Sequence, residues 1–338
     1  MKYFSPKPLL DRNCLFNFCL AERGVGKTFN SKVFAVNNFL KDGSEFIYVR
    51  RYREELETAV ATFWEDIEKH EIFNKDEIVL THKKKNKLET FMMNGIPFGY
   101  AVPLSTSNIL KSTAFPNVSL IIFDEFLIDV GNYHYLKNEV VKFLELYETV
   151  ARTRDVQVLF LGNAITISNP YFNYFDLDLP YNKEFKNFKD DTICVQYVKN
   201  LEYREMKKKT KFGRLINNTP YGSYAIENTF LRDSNAFIEQ KGKNPKIMSV
   251  IEINKVKFGV WYKRENDHYI LSSNYDPNIQ MVYSFDMDSH NGDSYFANAK
   301  SEPIISVLIR AFKLGKLGFE NQKVKGIVLS ALKRFMSY

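Results

Sequence analysis

Cysteine is scarce in this chain of 338 residues: Cys14, Cys19 and Cys194 are all there is. Three is an odd number and no C-x-x-C spacing occurs, which leaves no basis for a disulfide framework or a cysteine-held structural zinc. The five histidines, His70, His82, His134, His268 and His290, are scattered and supply no ligand spacing. Long apolar runs are also missing. Spanning a bilayer takes ~18 consecutive apolar residues, and the candidate near the start, residues 14–20, is short and interrupted by Asn17. It lacks the layout of a signal peptide and reads as a buried strand. The expectation is a protein with no membrane segment that stays in the cytoplasm of the cell that makes it. Internal repeats and low-complexity tracts are absent as well.

What is present is enough apolar material for real cores. Hydrophobic residues make up 45% of the chain and charged residues 26%, and at about 100–200 residues per domain the length predicts two domains. The net charge is +7 and is unevenly spread. Residues 1–200 carry 25 basic against 26 acidic side chains, whereas residues 201–338 carry 22 against 14. The cationic excess therefore lies in the second half, which points to a polyanionic partner there.

Along the first half, apolar runs alternate with helical patterns, as in a βαβ sheet domain. Strands are predicted at residues 15–20, 45–50, 120–123 and 156–161. Helices are predicted at 27–40, 52–70 and 137–153. Residues 78–81 and 88–93 read as a hairpin joined by a basic turn at 83–87, which 98–103 extends. The pattern weakens near residue 180, and 200–235 reads as a small connecting module. From 236 a second domain begins, with a hairpin at 247–253 and 256–262, a strand at 269–272, and helices at 303–317 and 321–338. The predicted organisation is an α/β domain over 1–199, a linker module over 200–235 and an α+β domain over 236–338.

The strongest chemical signal is Ala21-Glu22-Arg23-Gly24-Val25-Gly26-Lys27-Thr28. It follows a predicted strand and opens a predicted helix, the context that a phosphate-binding P-loop needs. Gly24 and Gly26 let backbone N–H groups curl around phosphates, and the helix N-terminus adds positive dipole. Lys27 would reach the β- and γ-phosphates and Thr28 would ligate Mg²⁺. The usual motif has Gly where Ala21 stands. The second signal is Leu120-Ile121-Ile122-Phe123-Asp124-Glu125, an apolar strand ending in two carboxylates. Asp124 would hold Mg²⁺, and Glu125 could polarise an attacking water as general base. The second carboxylate favours a hydrolase over a small-molecule kinase. Asn163, after the strand 156–161, is placed to face the γ-phosphate side or to cap its loop. Arg152 and Arg154 precede that strand, either as candidates for neutralising γ-phosphate charge or as partners of a helix C-terminus.

Beyond these motifs, the chain resembles the DNA-packaging ATPases of small protein-primed tailed phages, the phi-29-like group. The resemblance covers Arg23 to Thr28, Phe46 to Tyr52, Ala114 to Ser119 leading into Ile122 to Phe126, Asn163-Ala164 and Asn169 to Phe172. It continues through Lys209 to Ile216, Asp233-Ser234, Phe237 to Glu239 and Gly259 to Trp261. It implies an ASCE-type P-loop ATPase domain followed by an RNase H-like domain that no longer cuts. It also implies a homomeric ring, a pentamer, around double-stranded DNA, docked on the portal of a procapsid through structured packaging RNA. By position in the family, Arg152 matches an arginine finger acting in trans, Arg53 a basic residue near the subunit interface, and Lys111 a residue on a loop facing the DNA channel. Arg154 is a second interface candidate. The nucleotide ligands implied are Arg23, Gly24, Val25, Gly26, Lys27, Thr28 and Asn163, with ATP and Mg²⁺ as substrate and cofactor.

Two alternatives stand beside the motor: a terminase-like motor that also cleaves DNA, and a P-loop nucleic-acid switch with little turnover. A nuclease would need converging carboxylates, for which Glu252, Asp286, Asp288 and Asp293 are the candidates. The charge asymmetry makes a direct prediction. A fragment starting near residue 200 should bind RNA or DNA with an affinity that falls steeply as salt rises. A salt-independent or undetectable affinity in a filter-binding titration removes the polyanion assignment.

Overall fold

A computed structural model of the protein describes residues 3–69, 80–85, 88–128, 134–163, 169–177, 183–198, 200–217, 219, 237–242 and 245–336. The chain divides into two compact units, Met1–Thr166 with Pro170–Arg232, and Ile167–Asn169 with Asp233–Tyr338. Among the described residues no helix is long and apolar enough to cross a membrane.

The first unit is built on a nine-stranded sheet. Its strands are β1 (Phe16–Ala21), β2 (Glu45–Arg50), β3 (Leu80–Lys85), β4 (Leu88–Met93), β5 (Ile96–Pro103), β6 (Val118–Asp124), β7 (Gln157–Asn163), β8 (Phe185–Phe188) and β9 (Ile193–Tyr197). They lie in the order β3-β4-β5-β2-β6-β7-β1-β9-β8. From β5 to β9 all neighbours are parallel, and the outermost pairings, β3 with β4, β4 with β5 and β8 with β9, are antiparallel. The helices are α1 (Lys7–Leu10), α2 (Lys27–Asp42), α3 (Arg53–Lys69), α4 (Glu139–Ala151), α5 (Pro170–Phe175), α6 (Leu201–Lys209) and α7 (Lys211–Ile216), with a 3₁₀ turn at Leu104–Leu110.

The central strands read as continuous apolar runs because both faces of a parallel sheet are covered. On one face, Phe18 of β1 stacks on Phe160 of β7 with centroids 4.2 Å apart, and Phe126, Phe143 and Tyr171 close around them. On the other, Cys19 and Ala21 pack with Ala35 and Val36 of α2. Asn17, the polar interruption in β1, is fully buried and donates to the carbonyl of Cys14 at 2.9 Å. The three cysteines are free and buried; burial pushes the Cys19 and Cys194 thiols up to about 12.

The second unit holds a six-stranded sheet of β10 (Lys246–Ile253), β11 (Val256–Lys263), β12 (His268–Ser272), β13 (Val282–Ser284), β14 (Tyr295–Phe296) and β15 (Leu317–Phe319), ordered β14-β13-β10-β11-β12-β15. β10, β11 and β12 form an antiparallel meander, and β13 and β15 add in parallel at its two sides. Two helices, α8 (Pro303–Lys313) and α9 (Gln322–Met336), cover it. Ile304, Ile305, Leu308, Val324, Val328 and Leu332 join Ile251, Val260 and Leu271 in one core.

Several boundaries depart from the sequence reading. β3 runs on through Lys83 to Lys85, so those lysines are strand and not turn; residues 86 and 87, and 78 and 79 at the expected start of the hairpin, lie outside the described residues. α8 stops at Lys313 because Gly315, at φ +68°, lets the chain reverse into β15. Residues 200–217, expected within a separate connecting module, form α6 and α7 and belong to the first unit. Arg204 of α6 pairs with the buried Glu22, which ties the helix to the core of that unit.

Candidate nucleotide site

The parallel register sets the site. Ala21 of β1 lies level with Asn163 of β7, and Asp124 of β6 is level with Leu161. The C-terminal ends of β1, β7 and β6 therefore stand side by side, where ligands bind in open α/β sheets. A cleft of about 300 Å³ opens there, lined by Arg23, Gly24, Gly26, Lys27, Thr28, Phe29, Asp124, Glu125, Leu161, Gly162 and Asn163.

The loop between β1 and α2 has the backbone that its glycines permit. Gly24 (φ +90°) and Gly26 (φ +85°) are both left-handed, a conformation costly for residues with a Cβ. Ala21 is the last residue of a regular strand and not part of the turn, so nothing at that position requires glycine. Val25 is fully buried, and its carbonyl accepts from the amide of Phe4 at 3.1 Å. Lys27 opens α2 and points back over the loop. Its ammonium donates to the carbonyls of Ala21 (3.1 Å) and Glu22 (2.8 Å) and to Oδ1 of Asn163 (2.9 Å). Burial lowers the pKa of Lys27 from the ordinary lysine value, against the pull of nearby acidic groups including Asp124 and Glu22.

Asp124 is 2% exposed and collects side-chain donors from two elements, α2 and β2. Thr28 Oγ1 lies 3.0 and 3.1 Å from its two oxygens, and Tyr48 OH donates to Oδ2 at 2.7 Å. Arg50 Nη2 pairs with Oδ2 at 3.2 Å. The same guanidinium reaches Glu125 Oε2 through Nη1 at 2.6 Å. Burial opposes the charge of Arg50, but Asp124, Tyr48 and Glu125 outweigh it and hold the group above the ordinary arginine range. Burial and the Asp124 charge push the Tyr48 phenol well up, so it stays a donor. Glu125 is half exposed and sits at φ +56°, a left-handed backbone at the end of β6.

The strain at Glu125 is supported from below. Arg51, 1% exposed, donates to both oxygens of Glu139 (2.7 and 2.9 Å) and to the carbonyls of Glu125 (3.3 Å) and Phe126 (2.6 Å). Tyr171 OH and the Leu136 amide complete the bonding of Glu139, at 3.1 and 2.8 Å.

Lys27, Thr28, Asp124, Glu125 and Asn163 thus share one cleft, with Arg23 at its rim. Other candidates lie elsewhere. Arg152 is exposed at the C-terminus of α4 in a left-handed conformation (φ +53°). Arg154 turns inward, donating to the carbonyls of Phe115, Pro116, Val118 and Val150 at 2.6–2.8 Å; its guanidinium is occupied within its own chain. Arg53 pairs with Glu57 on the surface of α3, and exposed Lys111 lies 3.6 Å from Glu145. In the second unit, Glu252 is buried on β10. Asp286 caps local backbone at Asn254 and Ser289, and Asp288 and Asp293 are exposed. Among the described residues no group of three or more His, Cys, Asp or Glu is disposed to hold a metal ion.

Sequence reasoning missed Tyr48, Arg50, Arg51 and Glu139 as parts of the site. The signal was present on β2: Tyr48 and Arg50 are two residues apart and so share a strand face, and Arg51 follows the strand directly. Glu22 and Arg204, 182 residues apart in the chain, carry no local signal.

The podovirus DNA encapsidation protein (Gp16) family matches residues 1–336. The DNA packaging protein of Bacillus phage phi29 is 35% identical over 334 residues, covering 98% of this chain and 97% of that protein. The corresponding protein of Bacillus phage B103 is 36% identical over 328 residues, covering 96% and 99%. Among solved structures, a chain of the bacteriophage phi29 genome packaging motor assembly superposes with a TM-score of 0.77 at 33% identity, covering 98% of this chain and 99% of its own. The N-terminal domain of the phi29 DNA packaging ATPase superposes with a TM-score of 0.52 at 36% identity, covering 60% of this chain and 98% of that domain.

The support beneath Glu125 is testable apart from any activity. Glu139→Ala strands the buried Arg51 charge and should lower the free energy of unfolding by about 3–5 kcal/mol. Urea denaturation followed by circular dichroism measures it; a loss under about 1 kcal/mol would mean that water replaces the carboxylate freely.

Proposed function

From the premise that this chain belongs to the podovirus DNA encapsidation family and is a DNA packaging protein, we propose that it hydrolyses ATP to drive double-stranded DNA into a procapsid, as a homomeric ring at the portal vertex. The observation that carries this reading is the convergence of Lys27, Thr28, Asp124, Glu125 and Asn163 on one cleft at the ends of three neighbouring parallel strands. The strand β7 between the P-loop strand and the carboxylate strand is what the ASCE class of ATPases has.

The residues fit a magnesium nucleotide. Thr28 Oγ1 and the Asp124 carboxylate are adjacent hard oxygen donors, the kind Mg²⁺ takes. Bound there, the ion would neutralise charge on the phosphate oxygens. The left-handed glycines turn backbone N–H groups toward an anion, and Lys27 supplies the point charge that a triphosphate needs. Glu125 Oε accepts the proton of the attacking water, and Asn163 orients the far side of the terminal phosphate. Arg152, exposed at the end of α4, is free to enter a neighbouring subunit's site. Lys111 grips DNA phosphate without reading sequence, as a non-specific translocase requires. The second unit, whose β10-β11-β12 meander is extended in parallel by β13 and β14 as in RNase H-like folds, binds packaging RNA or DNA through its own cationic excess, 15 basic against 11 acidic side chains over residues 233–338.

Two measurements test this. Glu125→Gln should lower steady-state ATP hydrolysis by about 10²–10⁴-fold while leaving nucleotide binding intact; hydrolysis that survives the change, or is negligible in the wild type, favours a nucleic-acid switch. Mixing Arg152→Ala subunits into wild-type rings should depress ATPase activity more than in proportion to their number. A strictly proportional loss assigns Arg152 to its own subunit or to no catalytic role.

A further inference from the structure

The P-loop contains a group that phosphate binding does not call for. Glu22, its first residue after β1, is buried, with 1% of its surface exposed. Its Oε1 accepts from Nε of Arg204 at 2.5 Å, and its Oε2 is buried with no hydrogen-bond partner among the described residues. Nη2 of Arg204 is buried without a partner as well. Arg204 comes from α6, and two more side chains of that helix reach the same loop. Tyr203 OH donates to the carbonyl of Arg23 at 3.0 Å, and Lys207 Nζ does so at 3.4 Å. The Tyr203 hydroxyl also occupies the space that a Cβ on Gly24 would need.

A carboxylate in this position works against the loop in two ways. A buried charge left unpaired is strongly destabilising. Its field also opposes the anion that the loop is shaped to hold, in surroundings too dry to screen it. Arg204 cancels that charge, and it does so only while α6 is docked.

We propose that docking of α6 and nucleotide binding at the P-loop are coupled, with Arg204 as the positioning residue. With α6 in place the loop presents Lys27 and backbone N–H groups to phosphate; with α6 displaced, Glu22 makes the same loop repel it. This rests on the nucleotide reading of the cleft. Linkage makes the effect reciprocal, so nucleotide stabilises the docked helix by the factor by which docking strengthens nucleotide binding.

The test is equilibrium titration of the full chain with N-methylanthraniloyl-ATP and Mg²⁺. Wild-type protein that fails to bind the analogue sinks the nucleotide reading itself. Given wild-type binding, Arg204→Ala should weaken it by at least about 10-fold. Adding Glu22→Gln to Arg204→Ala should return affinity to within about 3-fold of wild type, since the charge to be cancelled is gone. Relief of the stranded charge would restore the fold as well, so circular dichroism and urea midpoints are measured beside the titrations, and weaker binding that merely follows loss of folded protein overturns the proposal. Equal affinity in Arg204→Ala and wild type, or a double variant as weak as the single, overturns the proposal. Should Arg204→Ala not fold, the wild type decides: saturating nucleotide should slow amide hydrogen exchange across residues 201–209, and unchanged exchange overturns it.

Discussion

The candidate site depends on one buried carboxylate. Asp124 is nearly inaccessible, and a charge in that position persists only where donors replace water. Its donors come from separate elements: Thr28 on the helix after β1, Tyr48 and Arg50 on β2, and the backbone amide of Glu125. The bonds from Tyr48 and Arg50 fix the end of β6 against β2, and the bond from Thr28 fixes it against α2. The geometry of the cleft is thus the solution to an electrostatic problem, and the same bonds that make the carboxylate tolerable align the start of α2 with the second acidic residue.

Arginines at the edges of the sheet divide between two kinds of work. Arg50 ends β2 and Arg51 follows it directly, yet one reaches Asp124 and Glu125 and the other Glu139. Arg152 and Arg154 flank a turn; the first faces solvent and the second holds four carbonyls of its own chain. The rigid fork of the guanidinium suits Arg51 and Arg154, which must satisfy several acceptors at once, and lysine would not replace it. Charge counts along the sequence see these four residues as equivalent, and the fold does not.

That difference marks what was legible beforehand. The elements carrying the glycine loop after β1 and the paired carboxylates were readable, because fully apolar strands bounded by glycine or acidic residues stand out from the rest of the chain. β2 was placed at its observed bounds, Glu45–Arg50, but the role of its polar residues was not, because Tyr48 and Arg50 acquire meaning only through the register of β2 against β6. β9 was overlooked: it is short and follows a charged stretch, and its pairing with β1 and β8 makes it a strand. α6 and α7 were overlooked for a similar reason. α6 is polar, has no buried residue of its own, and is held in place by contacts to the P-loop. What could not be read was non-local pairing, of which Glu22 with Arg204 is the extreme case.

The ammonium of Lys27 has a consequence for how affinity is to be understood. Its three hydrogens already have three acceptors, two carbonyls and the amide oxygen of Asn163. Under the proposed function, a phosphate arriving at the loop therefore comes as a competitor and not into an empty seat, and at least one internal bond must be traded for each new one to Lys27. The dissociation constant for nucleotide is then a difference between two well-satisfied states. The loop is spared a stranded buried charge when nothing is bound, and under the proposed hydrolysis it would release product without first having to find a new partner for the lysine.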